Sequence, residues 1–215
     1  MENFKRFGTG ICFILVPIIL IFGFAAHPNL SDLKPPGSNV DNWVNEFHGN
    51  AMWQVAHVSV MWATLPITVI FLAWMRMLKD KAPVLSFVAG VLGIIGCFAL
   101  AADKGALALV PTAFDTLPEE QFRQMLPGLQ AMLELKGYLW MVQLYALIFV
   151  GFVLMGIALV RTKATPRWQG IAVVLGALLL FNPDIDLISM IASVVLGIGM
   201  IPMGVAIFKS GITGR

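Results

Sequence analysis

Three histidines, His27, His48 and His57, and four acidic residues, Asp103, Glu134, Asp184 and Asp186, lie beside or inside long apolar runs of the sequence. Imidazoles exchange protons near neutral pH, and carboxylates attract cations. Ionisable side chains at membrane depth are costly and mark ligand, ion or proton sites by default. The segment 50–78 carries the sharpest pattern. At 100° per residue Asn50, Trp53, His57, Met61, Thr64, Thr68 and Met75 fall within about 40° of one line, and a rise of 1.5 Å per residue puts His57 about 10 Å below Asn50. This stripe has two readings: the wall of a polar cavity in which His57 accepts a proton or binds a ligand and Thr64 continues the path, or helix-to-helix glue.

The elements that position these residues follow from composition. The chain has 215 residues, 59% of them hydrophobic and only 12% charged, with a mean hydropathy of +0.85. Too few polar side chains remain to cover a water-soluble globule, so lipid is the expected solvent. Six apolar segments read as transmembrane helices, at about 8–26, 50–78, 84–108, 136–160, 168–182 and 186–208, each closed by charge, proline or a turn cluster. The expected fold is therefore an all-α, polytopic six-helix bundle forming a single domain over 1–215.

Sorting the charges by loop orients it. Lys5, Arg6, Arg76, Lys79, Lys81, Arg161, Lys163, Arg167, Lys209 and Arg215 share one side with only Glu2 and Asp80. Lys34, Lys104, Arg123 and Lys136 share the other with ten acids. Basic loops stay cytoplasmic, which predicts cytoplasmic N and C termini in a bacterial inner membrane. A cleavable signal peptide is the rival reading of residues 1–25, with Gly23 and Ala25 as small residues near its end, but the apolar core is long for one.

On the acidic side, Pro28 to Gly49 forms a loop with a turn at Pro35-Pro36-Gly37-Ser38 and with Trp43, Val44 and Phe47 as interfacial anchors. Between the third and fourth spans, Thr116-Leu117-Pro118-Glu119 has the form of a capping box. Phe122, Met125, Leu126 and Leu129 recur behind it at helical spacing, which predicts an amphipathic helix on the outer membrane surface with a bend at Pro127-Gly128. Asp103-Lys104 and Glu134-x-Lys136 could pair across the outer mouth as a clamp. Asn182-Pro183-Asp184-Ile185-Asp186 follows a short fifth span, so its carboxylates either dip toward a cation path or cap the sixth helix. Laying 83–103 on 166–186 matches seven of twenty-one positions, including Gly93/Gly176, Phe98/Phe181 and Asp103/Asp186, the pattern of a repeated hairpin.

Other chemistry lacks its motif. There is no Walker loop, dinucleotide glycine pattern, GxSxG, HExxH or CxxC, so an enzyme is disfavoured. Cys12 and Cys97 are too few for a disulfide framework, and the net charge of +2 gives nucleic acid no purchase. His27 and His48 are the candidate metal ligands, but their spacing matches no metal motif and suits bis-histidine haem poorly, so no cofactor is expected.

Trp53-x-x-x-His57 and the Arg161 to Pro166-Arg167-Trp168 loop resemble those of uncharacterised bacterial six-span membrane proteins of unknown function. That resemblance implies a helical inner-membrane protein and no particular activity. The residues themselves favour a small binding or transport module with His57, Asp103, Glu134, Asp184, Asp186 and Thr64 around an outward cavity. The alternative is a non-catalytic subunit or assembly factor whose glycine-rich faces pack against other membrane subunits or against itself.

Overall fold

The computed structural model of the chain describes residues 2–28, 30, 33, 39–182 and 185–212. Its described secondary structure is entirely helical: α1 (Glu2–Ala25), α2 (Val40–Phe47), α3 (Ala51–Leu78), α4 (Pro83–Lys104), a π turn (Gly105–Leu109), α5 (Val110–Phe114), α6 (Glu119–Gln124), α7 (Leu126–Leu133), a 3-10 stretch (Gly137–Ala146), α8 (Leu147–Thr162), α9 (Arg167–Leu180) and α10 (Asp186–Ile212). Five segments are long and apolar enough to cross a membrane: Phe4–Ala25, Ala51–Leu78, Pro83–Phe114, Gly137–Thr162 and Asp186–Lys209. The expected sixth, α9, is apolar but has only 14 residues. At 1.5 Å per residue it reaches about 21 Å, short of a roughly 30 Å hydrocarbon core.

The long helices close a ring in which α1 packs on α3, α3 on α4, α4 on α8, α8 on α9, α9 on α10, and α10 back on α1. One apolar cluster fills it. Phe13 from α1, Phe71 and Trp74 from α3 and Phe152 from α8 are buried, with edge-on or tilted ring contacts of 4.9–6.1 Å. Glycines let two of the walls meet backbone to backbone. A Cβ on Gly10 would lie 2.8 Å from the Gly204 carbonyl, and one on Gly204 would lie 2.7 Å from that of Gly10. Gly156 and Gly170 make the same reciprocal contact between α8 and α9. Lipid offers helices no hydrophobic reason to associate, so such close approach and its dispersion gain take that role.

At the end of the bundle carrying the longer connections, four expectations change. Residues 40–47 form helix α2, with Asn39 accepting the Asp41 N–H at 2.8 Å. Phe47 is fully buried in a second small core with Trp53, Ala108, Phe122 and Leu129, and the half-buried Trp43 and Val44 pack against it, so these residues seat a cap on the bundle. The capping box at Thr116 does not form. The Thr116 hydroxyl donates to the Ala113 carbonyl, and Pro118 takes the N-cap position of α6 without a side-chain bond. The amphipathic segment is two short helices broken at Met125, and its buried Phe122 and Leu129 face the cap core. The turn at Pro35-Pro36-Gly37-Ser38 lies outside the described residues.

The two hairpins of the apparent repeat share close helix contacts at Gly93 and Gly176, but they diverge toward the cap. Phe98 sits within α4, whereas Phe181 is already past the end of α9. The third span continues through the π turn into α5, where Pro111 has no N–H to give an ordinary helical ladder. The fourth begins as ten residues of 3-10 helix rather than α-helix.

Gly204→Val should destabilise the bundle by about 1–3 kcal/mol, because the new side chain meets the backbone of α1. Gly8→Ala, with open space around its Cβ, should leave stability unchanged or raise it by up to about 1 kcal/mol. Thermal unfolding of the two variants in detergent checks the pair.

Candidate functional site

Three chain ends deliver the side chains of the candidate site. Helix α1 stops at Ala25 and the chain turns, bringing His27 over the bundle. Helix α3 starts at Asn50, whose side-chain oxygen accepts the Trp53 N–H at 3.1 Å, and it carries Trp53 and His57 down its first two turns. Helix α10 starts at Asp186. Asn182 builds the turn before it: its amide oxygen accepts the Ile185 N–H at 2.6 Å, while its nitrogen donates to the Leu179 carbonyl and to the Ser189 hydroxyl.

His27 is the hub. Its Nδ1 lies 3.2 Å from the Asp186 carboxylate and 4.0 Å from that of Glu46 on α2. Its ring is 4.8 Å from the His57 ring and 6.2 Å from Trp53. His57 is buried and stacks on Trp53 at 3.7 Å, an i, i+4 pair on one helix face. The Nδ1 of His57 is 2.9 Å from the Trp53 carbonyl, which can only accept, so Nδ1 is the donor in this contact. The indole N–H of Trp53 is buried and has no partner among the described residues. Such an orphan is uncommon and asks for an acceptor that the described residues do not supply. Asp103 is buried at the end of α4 and pairs with Lys104 at 3.2 Å, and the Lys104 ammonium lies within electrostatic range of His57. One mouth thus holds two adjoining imidazoles, carboxylates from α2 and α10, and an indole donor with no partner among the described residues.

The other expected residues lie elsewhere. Thr64 is two turns deeper on α3, and its hydroxyl donates to the Met61 carbonyl of its own helix, as that of Thr68 does to Thr64. Asp184 lies outside the described residues. Glu134 and Lys136 pair with each other at 2.6 Å, and Asp103 pairs with Lys104, so the clamp expected across the mouth is replaced by two local pairs. Glu134 belongs to the cap: it accepts the Gln130 amide at 2.8 Å, and Gln130 in turn accepts the Val40 N–H at the start of α2.

His48 belongs to a separate cluster. The Asp115 carboxylate accepts from its Nδ1 at 2.5 Å, from the Gly49 N–H at 3.1 Å and from the Gln54 amide at 2.7 Å, while Nε2 lies 3.6 Å from Glu119. The ring stacks on Phe122 at 4.5 Å. Asp115 thereby pins α2 and the start of α3 to the end of α5. His27 and His48 therefore face different carboxylates, and among the described residues no group of three His, Cys, Asp or Glu side chains is arranged to hold a metal ion. The direct contact of His27 and His57 leaves no room for a macrocycle between them. Glu46, Gln54, Asp115 and Gln130 had no signal in the sequence, being single polar residues in connections whose partners come from distant segments.

Two measurements test the cap. Asp115→Ala leaves three donors without their acceptor and should cost about 1–3 kcal/mol locally, seen as faster amide exchange over 40–50. Hydrogen bonds from Lys136 and then Gln130 hold the Glu134 carboxyl below its ordinary value of 4.5. A lowered folded value means that this contribution is present above about pH 4.5 and is lost as pH falls through the folded value. Exchange protection of Val40 should fall over that acid range, and Gln130→Ala should remove the pH step.

No curated protein and no solved structure matches the chain. Residues 9–185 match the model of a protein family, a stretch that begins within α1 and ends immediately before Asp186. On that match the chain belongs to the family described as a domain of unknown function, DUF4386.

Proposed function

We propose that this is a six-span protein of a bacterial inner membrane, with both termini cytoplasmic, whose outward mouth binds a small cation or cationic amphiphile in competition with protons. Support for six spans comes from α9, which is apolar and packs lengthwise between α8 and α10. Support for the orientation comes from the basic residues at the ends of α3, α8 and α10 and the starts of α1 and α9, opposite the acidic cap.

One observation carries the binding reading: His27 set between the Asp186 and Glu46 carboxylates, beside a buried indole N–H with no acceptor among the described residues. A cation would neutralise the Asp186 carboxylate, and a ligand acceptor atom would satisfy Trp53. When His27 is protonated it supplies that positive charge itself, so protons and cation compete. Binding is favoured over passage through the bundle because the path beneath His57 runs into the packed rings of Phe13, Phe71, Trp74 and Phe152. The glycines lend the subunit reading no support, since Gly90, Gly93, Gly96, Gly176, Gly197 and Gly204 all have near neighbours within this chain.

The purified protein should melt at a higher temperature with monovalent cations or primary alkylamines, as mass action requires of a ligand that binds the folded state. His57→Ala and Asp186→Asn should each remove this increase. A melting temperature indifferent to every cation at all pH values, or the same increase in both variants, would sink the reading.

A further inference from the structure

At the opposite end of the bundle, the turn between α3 and α4 meets the last turn of α8. Lys81, Ala82, Leu85, Ala158, Arg161 and Thr162 line an open cleft of about 640 Å3 there. Neither Lys81 nor Arg161 has an acidic partner among the described residues, although Asp80 adjoins Lys81 in sequence. The Thr162 hydroxyl is committed to the Ala158 carbonyl at 2.8 Å and gives the cleft no donor. No side chain caps the first turn of α4, whose free amides add positive potential to the two cations. Two unpaired cations at the rim of one cleft form an anion site, and the guanidinium of Arg161 offers the paired donors that match two oxygens of a phosphate.

The floor and flank of the cleft are apolar. Leu85 and Ala158 lie inside it, and on the same first turns of α4 Val84 is 75% exposed and Phe87 60% exposed. A ligand with a charged head and a hydrocarbon tail could set the head between Lys81 and Arg161 and lay the tail along α4. Basic pockets between membrane helices recognise lipid head groups in this way. We propose that this cleft binds a phosphate-bearing anion, either the phosphodiester of an anionic phospholipid or a free phosphate. It lies at the far end of the bundle from the His27 mouth and does not depend on the reading given to that mouth.

The test uses the full chain in detergent micelles doped with equal amounts of phosphatidylglycerol and phosphatidylcholine, with bound lipid counted by native mass spectrometry. A parallel arm follows thermal unfolding with inorganic phosphate alone. The wild type should retain phosphatidylglycerol over phosphatidylcholine, and Lys81→Gln/Arg161→Gln should weaken that retention by on the order of tenfold or more. The charge-matched Lys5→Gln/Lys79→Gln, which alters the same end outside the cleft lining, should retain it. Stabilisation by inorganic phosphate that vanishes in the cleft variant would identify the free anion as the source. Retention unchanged in the cleft variant, equal retention of both lipids without a phosphate effect, or equal loss in both double variants would overturn the proposal.

Discussion

Hydrocarbon gives a peptide group nothing to bond to, and every other feature of this molecule is arranged around that fact. The backbone of the membrane segments closes its bonds within helices, and the polar side chains carried into them turn back on the same backbone. Thr64 and Thr68 bond carbonyls one turn away, Ser193 bonds Ser189, and His57 reaches the Trp53 carbonyl. Groups that need another chain segment to satisfy them collect at the bundle ends. At one end they build the imidazole and carboxylate mouth under its cap, and at the other they leave cations facing an open cleft.

Between the two lies a block of packed apolar side chains. The rings of Phe13, Phe71, Trp74 and Phe152 interlock where a channel would run, and the glycine pairs draw α1 to α10 and α8 to α9 close enough to seal the wall. The π turn after α4 packs on α3 and α7, the 3-10 stretch before α8 packs on α4, and both depart from the ordinary helical ladder.

The long apolar elements were legible because hydropathy reports them directly. Asn50 was recognisable as the start of α3, and Arg167–Leu180 as a short apolar helix, since charge and capping residues mark where hydrocarbon begins. The cap was not. Eight residues of α2 are too few to show a period, and aromatic residues such as Trp43 and Phe47 look the same whether they face lipid or a neighbouring helix. His57 and Asp186 were legible as costly residues, but their meeting through His27 joins segments from opposite ends of the chain, and nothing local announces it. Glu46 and Asp115 stayed hidden for the same reason. Glu134 was legible as a charge but misplaced, because a carboxylate near a bundle mouth can serve the loop beside it as readily as the opening.

The ring order has a consequence for assembly in the cell. Helix α1 enters the bilayer first, yet one of its two walls is α10, the last of these helices to be made. Until then the backbone groove at Gly10 stands open to lipid, and His27 waits above it without Asp186. The molecule is therefore most vulnerable to wrong partners and to quality-control proteases during its own synthesis, and the final insertion event both completes the barrel of helices and furnishes the mouth with its acid.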